Sequence, residues 1–328
     1  MENSIYVVNK EPYCIWEVDI KERNKEFLNG IDPEYFYYLA ELHAGADDEK
    51  RAAIALWSTL HHAMETMFSH LGAYIQAPDC AYAWIAKCSN NQLRKFVTEI
   101  DEYISLLYTK LNIDNVTWQN VSKSVFRGYL PNSEKNERTV SLFAKLWMHL
   151  ASEFVNPAHI DEYNSIKHGF RVRSGGFTLA VGKEHEYGVS PPQEEMKVVG
   201  HSEYGTTILK LEPITNKKGN RSYRSRRHSL NWRIEKTVLL LQLTSMSITN
   251  ITSALKIANG VEAGTCKFTW PVDDETFIEP WKYSPGVTSS SMDYGFDFDE
   301  SMESTKEDLE KIVSEFTQEK VNKSKHAD

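Results

Sequence analysis

The stretch EYNSIKHGFRVRSGG, residues 162–176, brings an Asn, a Lys, a His and two Arg within ten positions. At helical spacing Asn164 and His168 lie one turn apart on a shared face, with Lys167 beside them. A helix C-terminus favours cations and moves an imidazole pKa toward the range useful for proton transfer near neutrality. A histidine so placed can give or take a proton, with Asn164 orienting its ring and Lys167 holding a phosphate oxygen. Arg171 and Arg173 follow on an extended segment, on one side of it by strand alternation. Lys and His also serve at ordinary helix ends, where they satisfy free carbonyls. Both readings stand.

A second candidate lies downstream in KKGNRSYRSRRHSLNW, which begins at Lys217 and reads as a polar loop. Arg221, Arg224, Arg226 and Arg227 fall within it, and from 217 to 236 eight Lys and Arg face Glu235 alone. Dense arginine with Tyr223 interleaved suits contact with a phosphate backbone and stacking on a base. RNA or another anionic partner is expected here, and the chain's own acidic tail is a second candidate occupant. From Pro271 onward 15 Asp and Glu stand against 6 Lys and Arg, so the whole net charge of −9 belongs to the tail.

Other constellations do not assemble. His61, His62 and Glu65 invite a metal, but a di-metal bundle needs repeated inward Glu-x-x-His units, which the chain lacks. His61 lies on an apolar stripe and is expected as a hydrogen-bonded core residue. Asp161, Ser165 and His168 on one short helix cannot take triad geometry. Without a Gly-rich phosphate loop or paired cysteines, no cofactor or metal is expected. Cys14, Cys80, Cys88 and Cys266 are scattered, as reduced cytoplasmic thiols are. No secretory leader is visible at the N-terminus, and TVLLLQLTSMSI is too short and polar to span a bilayer, so no membrane partner is expected.

The elements that must hold these residues are mostly helices. Asp32 and Pro33 open one over 32–43. Ile54, Trp57, Leu60, His61, Met64, Met67, Phe68 and Leu71 mark a long amphipathic helix. Further helices are expected from Ser89, over WQNVSKSVF, over ERTVSLFAKLWMHLASEF, and from Asn156 to a stop at Gly169. FRVR and FTLAV then read as a hairpin around SGG, and MKVVGHSEYGTTILKLEPI as two more strands. From Ser229 to Asn259 apolar residues surround a helix that must be buried among the earlier ones.

The expected fold is mainly α: a helical bundle with a small inserted antiparallel β-sheet and an acidic, partly disordered C-terminal tail. Its parts are an N-terminal extension (1–31), a bundle (32–169), the inserted sheet and basic loop (170–228), a buried completing helix (229–262) and the tail (263–328), which carries one more helical pattern in TKEDLEKIVSEFTQEKV.

A helical hairpin, a short helix ending in Asn164-x-x-Lys167-His168-Gly169, and a last helix returning to the bundle resemble the HEPN superfamily. The resemblance covers about 32–170 and 229–260. It implies a homodimer whose paired Arg and His residues face a shared cleft and cleave RNA without a metal, in defence or toxin systems. Asn164 and His168 match the polar and His positions of that motif, while Tyr163 stands where its arginine belongs. A phenol does not clamp a phosphate as a guanidinium does. Two expectations follow: a metal-independent ribonuclease using His168, Asn164 and Lys167, or a non-catalytic RNA- or protein-binding scaffold on the same fold.

Overall fold

A computed structural model describes residues 3–16, 18–104, 107–128, 134–215, 221–293 and 306–325. Lys217 and Lys218 of the basic segment and the acidic run 294–305 lie outside the described residues. The chain is mainly helical with small antiparallel sheets, and it forms two compact units, Met1–Thr207 with Ser229–Ser289 and Ile208–His228 with Ser290–Asp328.

The first unit opens on an antiparallel hairpin, β1 (Asn3–Val8) and β2 (Glu11–Trp16). Asn9 makes the turn at φ 56, a conformation Asn tolerates better than most residues. Next come α1 (Ile20–Gly30), α2 (Tyr35–Ala44) and the long α3 (Glu49–Gln76). Asp48 caps α3 by accepting from the Arg51 backbone N–H at 3.1 Å. Gln76, at the far end of α3, accepts from the Asn9 backbone N–H (2.9 Å) and donates to the Asn9 carbonyl (3.2 Å), tying the hairpin down.

The bundle continues through α4 (Ala81–Lys87), α5 (Asn90–Asp101), α6 (Trp118–Phe126), α7 (Glu134–Phe154) and α8 (Pro157–Lys167). Ser89 and Gln92 form a reciprocal capping box on α5, Thr117 caps α6, and Asn156 caps α8 just before its proline. These are the starts the sequence predicts.

Six strands complete the chain's β structure among the described residues: β3 (Val172–Ser174), β4 (Thr178–Val181), β5 (Lys197–His201), β6 (Gly205–Thr215), β7 (Arg221–Asn231) and, late in the chain, β8 (Ser289–Asp293). The expected FRVR–FTLAV hairpin does not form. Instead β3 joins the sheet β3-β6-β7-β8, and β4 pairs with β5. The reason is local. Gly175, at φ +108, donates to the Gly205 carbonyl (2.9 Å), and Gly176 donates to the Glu203 carbonyl (3.2 Å). A Cβ on Gly176 would stand 2.4 Å from the Ser202 carbonyl oxygen, so only glycine passes this close. The two glycines therefore lay the chain against the turn before β6.

Between β7 and β8, α9 (Ile234–Ala258) returns to the bundle and packs along α2 and α3. Leu240, Leu241, Leu243, Ile248, Ile251 and Leu255 are all buried, as the all-round apolar pattern predicts. Trp147 of α7 donates its indole N–H to Ser247 Oγ of α9 at 3.0 Å, satisfying both groups inside that contact. Among the described residues α9 alone is long and apolar enough to cross a membrane, but 78% of its most apolar window is buried within the fold.

The second unit takes in the outer parts of β6 and β7, the end of β8, and α10 (Lys306–Lys325). The basic segment is a strand from Arg221 onward, where a polar loop was expected. Alternate residues Arg224 and Arg226 share one face, and each pairs with both Glu212 and Asp293, at 2.6–3.1 Å. Cross-strand partners of opposite charge make so basic a strand tolerable.

Candidate functional site

Helix α8 organises two clusters in the first unit, one at its C-terminal tip and one on its inward face. At the tip His168 is the C-cap residue and is exposed. Its backbone N–H donates to the Asn164 carbonyl at 2.9 Å. Asn164 and His168 thus meet through the backbone, and among the described residues no hydrogen bond joins the Asn164 amide to the imidazole. The Phe170 N–H returns to the Ile166 carbonyl (3.2 Å) and the Arg171 N–H to the Ser165 carbonyl (2.7 Å), so the helix end is closed by its own backbone. The side chains of His168, Arg171 and Arg173 are left to solvent, with exposed Phe170 among them.

Lys167 leans the other way. Its ammonium lies 3.8 Å from Glu65 Oε2 and 5.4 Å from the centre of the Tyr163 ring. Tyr163, which stands where the HEPN-like motif has arginine, is buried and donates its hydroxyl to Glu65 Oε2 at 3.2 Å. Burial, with the Glu65 carboxylate beside it, pushes its pKa well above the ordinary phenol value. This phenol is a structural donor, and Glu65 is shared between it and Lys167.

The remaining predicted residues belong to the second unit. Arg224 and Arg226 are held by their carboxylate pairs, Arg227 Nη2 donates to Met292 Sδ (3.6 Å), and His228 Nδ1 stands 2.6 Å from Ser291 Oγ. Arg221 begins β7, and its side chain is outside the described residues.

The inward face of α8 carries a buried carboxylate that the sequence reading passes over. Glu162 Oε2 accepts from the Trp57 indole N–H at 2.7 Å, and Oε1 accepts from the Trp232 indole N–H at 3.0 Å and from the Thr206 hydroxyl. Burial raises its pKa to about 6 against these donors and the nearby His159, which favour the charged form. The two indoles stack at 5.1 Å with 10° between their planes. One carboxylate therefore fixes two aromatic rings, one from α3 and one from the turn before α9.

Beside this cage lies an ion cluster. Glu153, in the last turn of α7, accepts from Lys236 Nζ at 2.6 Å, and His159 Nδ1 stands 3.1 Å from Glu153 Oε2, a charge contact without good hydrogen-bond alignment. Burial alone would raise the Glu153 pKa, but His159 and Lys236 outweigh it and hold it at about 2. For His159 the same Glu153 carboxylate overcomes burial and raises the pKa. Lys236 also lies 4.5 Å over the Trp281 ring, a cation–π contact. These groups line a cavity of about 380 Å³ in the first unit.

His61, expected as a hydrogen-bonded core residue, is buried between Trp57 (4.9 Å) and Tyr163 (5.2 Å), but its Nε2 has no hydrogen-bond partner. Burial drives its pKa down to about 3, so it packs as a neutral ring. Among the described residues no group of three or more His, Cys, Asp or Glu is arranged to hold a metal ion.

A signal for the inward cluster was present. His159, Glu162, Tyr163 and Ile166 stand at i, i+3, i+4 and i+7, the stripe by which a helix faces a core. Polar residues on that stripe must be buried with partners. No protein-family model, curated protein or solved structure matches the chain, so function is argued from the site itself.

Proposed function

We propose that this is an RNA-directed binding protein that uses the tip of α8 and β3 as its phosphate-contacting surface and does not cleave the strand. The observation that carries the reading is the contrast at Tyr163 and Arg171. The residue in the motif's arginine position is a buried phenol bonded to Glu65. The guanidinium groups of Arg171 and Arg173 are exposed on the segment that follows His168, and no carboxylate among the described residues pairs with them. Exposed arginines beside an exposed aromatic side chain suit a single strand, with phosphates on the cations and a base on Phe170. Proton transfer by His168 would need an orienting partner and a clamp on the scissile phosphate. Asn164 offers its carbonyl to the backbone, and Lys167 leans to Glu65. Arg224 and Arg226 of β7 are neutralised in their own unit, which leaves the α8 tip as the better surface.

In this reading the strands after Gly169 are an insertion in a HEPN-like bundle, and the protein acts in the cytoplasm, where its four free thiols would stay reduced. The test is incubation of the purified chain with mixed single-stranded RNA in EDTA, alongside His168→Ala and Arg171→Ala/Arg173→Ala. Intact RNA, retained by the wild type and by His168→Ala but released by the double arginine variant, is the expected result. Cleavage that disappears in His168→Ala would replace the binder by the metal-independent ribonuclease.

A further inference from the structure

The cavity beside Glu162 has no part in the RNA surface. Its walls are aromatic and its charges unequal. Trp57, Trp232, Trp281 and Tyr283 line it together with Arg233, Lys236, His159 and a single carboxylate, Glu153. Glu153 is already satisfied by Lys236 and His159. Arg233, in contrast, is half-buried at the start of α9, and no acceptor among the described residues engages its guanidinium. Lys236 and His159 are met by Glu153, with the buried Glu162 carboxylate behind the tryptophans, which leaves the Arg233 guanidinium as the cation to be met from outside.

A phosphate monoester offers three strong acceptor oxygens against a carboxylate's two, so it can engage Arg233 through two of them and present the third to Lys236. A planar guanidinium binds such a group through two parallel hydrogen bonds. The walls ask for a flat unsaturated body. Two of the tryptophans are fixed by Glu162 at their N–H ends, so a ligand would not have to order them on binding. A volume of about 380 Å³ lies at the small end of the range for small-molecule sites, with room for one ring system and one phosphate rather than a longer strand.

We infer that this cavity binds a nucleoside monophosphate, with the phosphate on Arg233 and the Lys236–His159 side and the base against the tryptophan wall. The inference does not depend on the RNA reading, because Arg171 and Arg173 do not line the cavity.

The test is titration of the full chain with adenosine 5′-monophosphate, followed by calorimetry and tryptophan fluorescence, in parallel with adenosine, inorganic phosphate and indole-3-acetate. The expected result is saturable binding of the monophosphate, with each of the other three at least tenfold weaker. Arg233→Gln should weaken the monophosphate tenfold or more and leave adenosine unchanged, with Arg233→Lys between the two. Arg171→Ala/Arg173→Ala should bind it as the wild type does, which separates this outcome from failure of the RNA surface. Three results on the unmodified chain would overturn the inference, whatever the variants do. They are no saturation at millimolar monophosphate, equal affinity for adenosine and its phosphate, or tighter binding of indole-3-acetate.

Discussion

Glu162 takes three hydrogen bonds inside the protein while burial raises its pKa to about 6, so its charge depends on pH just below neutrality. The sign of the consequence follows from proton linkage. The folded pKa lies above the unfolded value of about 4.3, so between the two the folded state binds more protons and stability falls as pH rises. A difference of this size corresponds to about 2 kcal/mol, lost by the time pH reaches 7. His159 acts in the same direction at higher pH, since its raised pKa makes a contribution that fades as pH climbs through the folded value. Glu162→Gln isolates the first effect. In denaturant unfolding the stability gap between wild type and Glu162→Gln should shrink by about 2 kcal/mol from pH 4.5 to pH 7, whatever its absolute size. A gap that does not change with pH would mean the buried carboxyl titrates at its ordinary value. The stripe His159, Glu162, Tyr163 and Ile166 carries the sequence signal for this residue, but a glutamate beside a tyrosine near a helix end is easily taken as solvated.

At the scale of elements, the meeting of α3 and α4 depends on one missing methyl group. A Cβ on Gly72 would lie 2.2 Å from the Trp84 ring, which is itself fully buried and donates to the Val7 carbonyl. Alanine would gain about 1 kcal/mol of helix propensity, but a clash this deep forces the indole or the helix to move, at a typical cost of about 1–3 kcal/mol. Gly72→Ala should therefore lower thermal stability, and adding Trp84→Phe should restore part of it. A Gly72→Ala protein as stable as the wild type would contradict this packing. The same scale shows where sequence patterns sufficed. Capped helices, α3, α5, α6 and α8, were legible at their starts, while α7 begins at Glu134, three residues before the ERTV pattern that marks it. Helix α1 was not, because its buried line is Ile20, Asn24 and Leu28, and Asn24 breaks the apolar stripe. That asparagine is buried because it donates to the Pro78 carbonyl and to Asn259 while accepting from the Ala81 N–H, partners that only the fold supplies. The strand pairing after Gly169 was equally out of reach, since it turns on contacts between Gly175–Gly176 and a turn some 30 residues away.

For the whole molecule, the distribution of charge matters more than its total. Residues before Pro271 are electrically neutral and the tail carries the net −9. One of its acids, Asp293, already meets Arg224 and Arg226 within the second unit, so that arginine cluster is less available than its density in the sequence suggests. The α8 tip keeps its cations exposed, and the central claim is that they contact RNA phosphates. The most direct measurement is the salt dependence of binding to a single-stranded RNA, for wild type and for Arg171→Ala/Arg173→Ala. If both arginines contact phosphates, the slope of log K against log salt should be shallower in the variant by about 1.4, at about 0.7 per contact on a single strand. The same slope in both proteins, or no retention of RNA even at low salt, would contradict it.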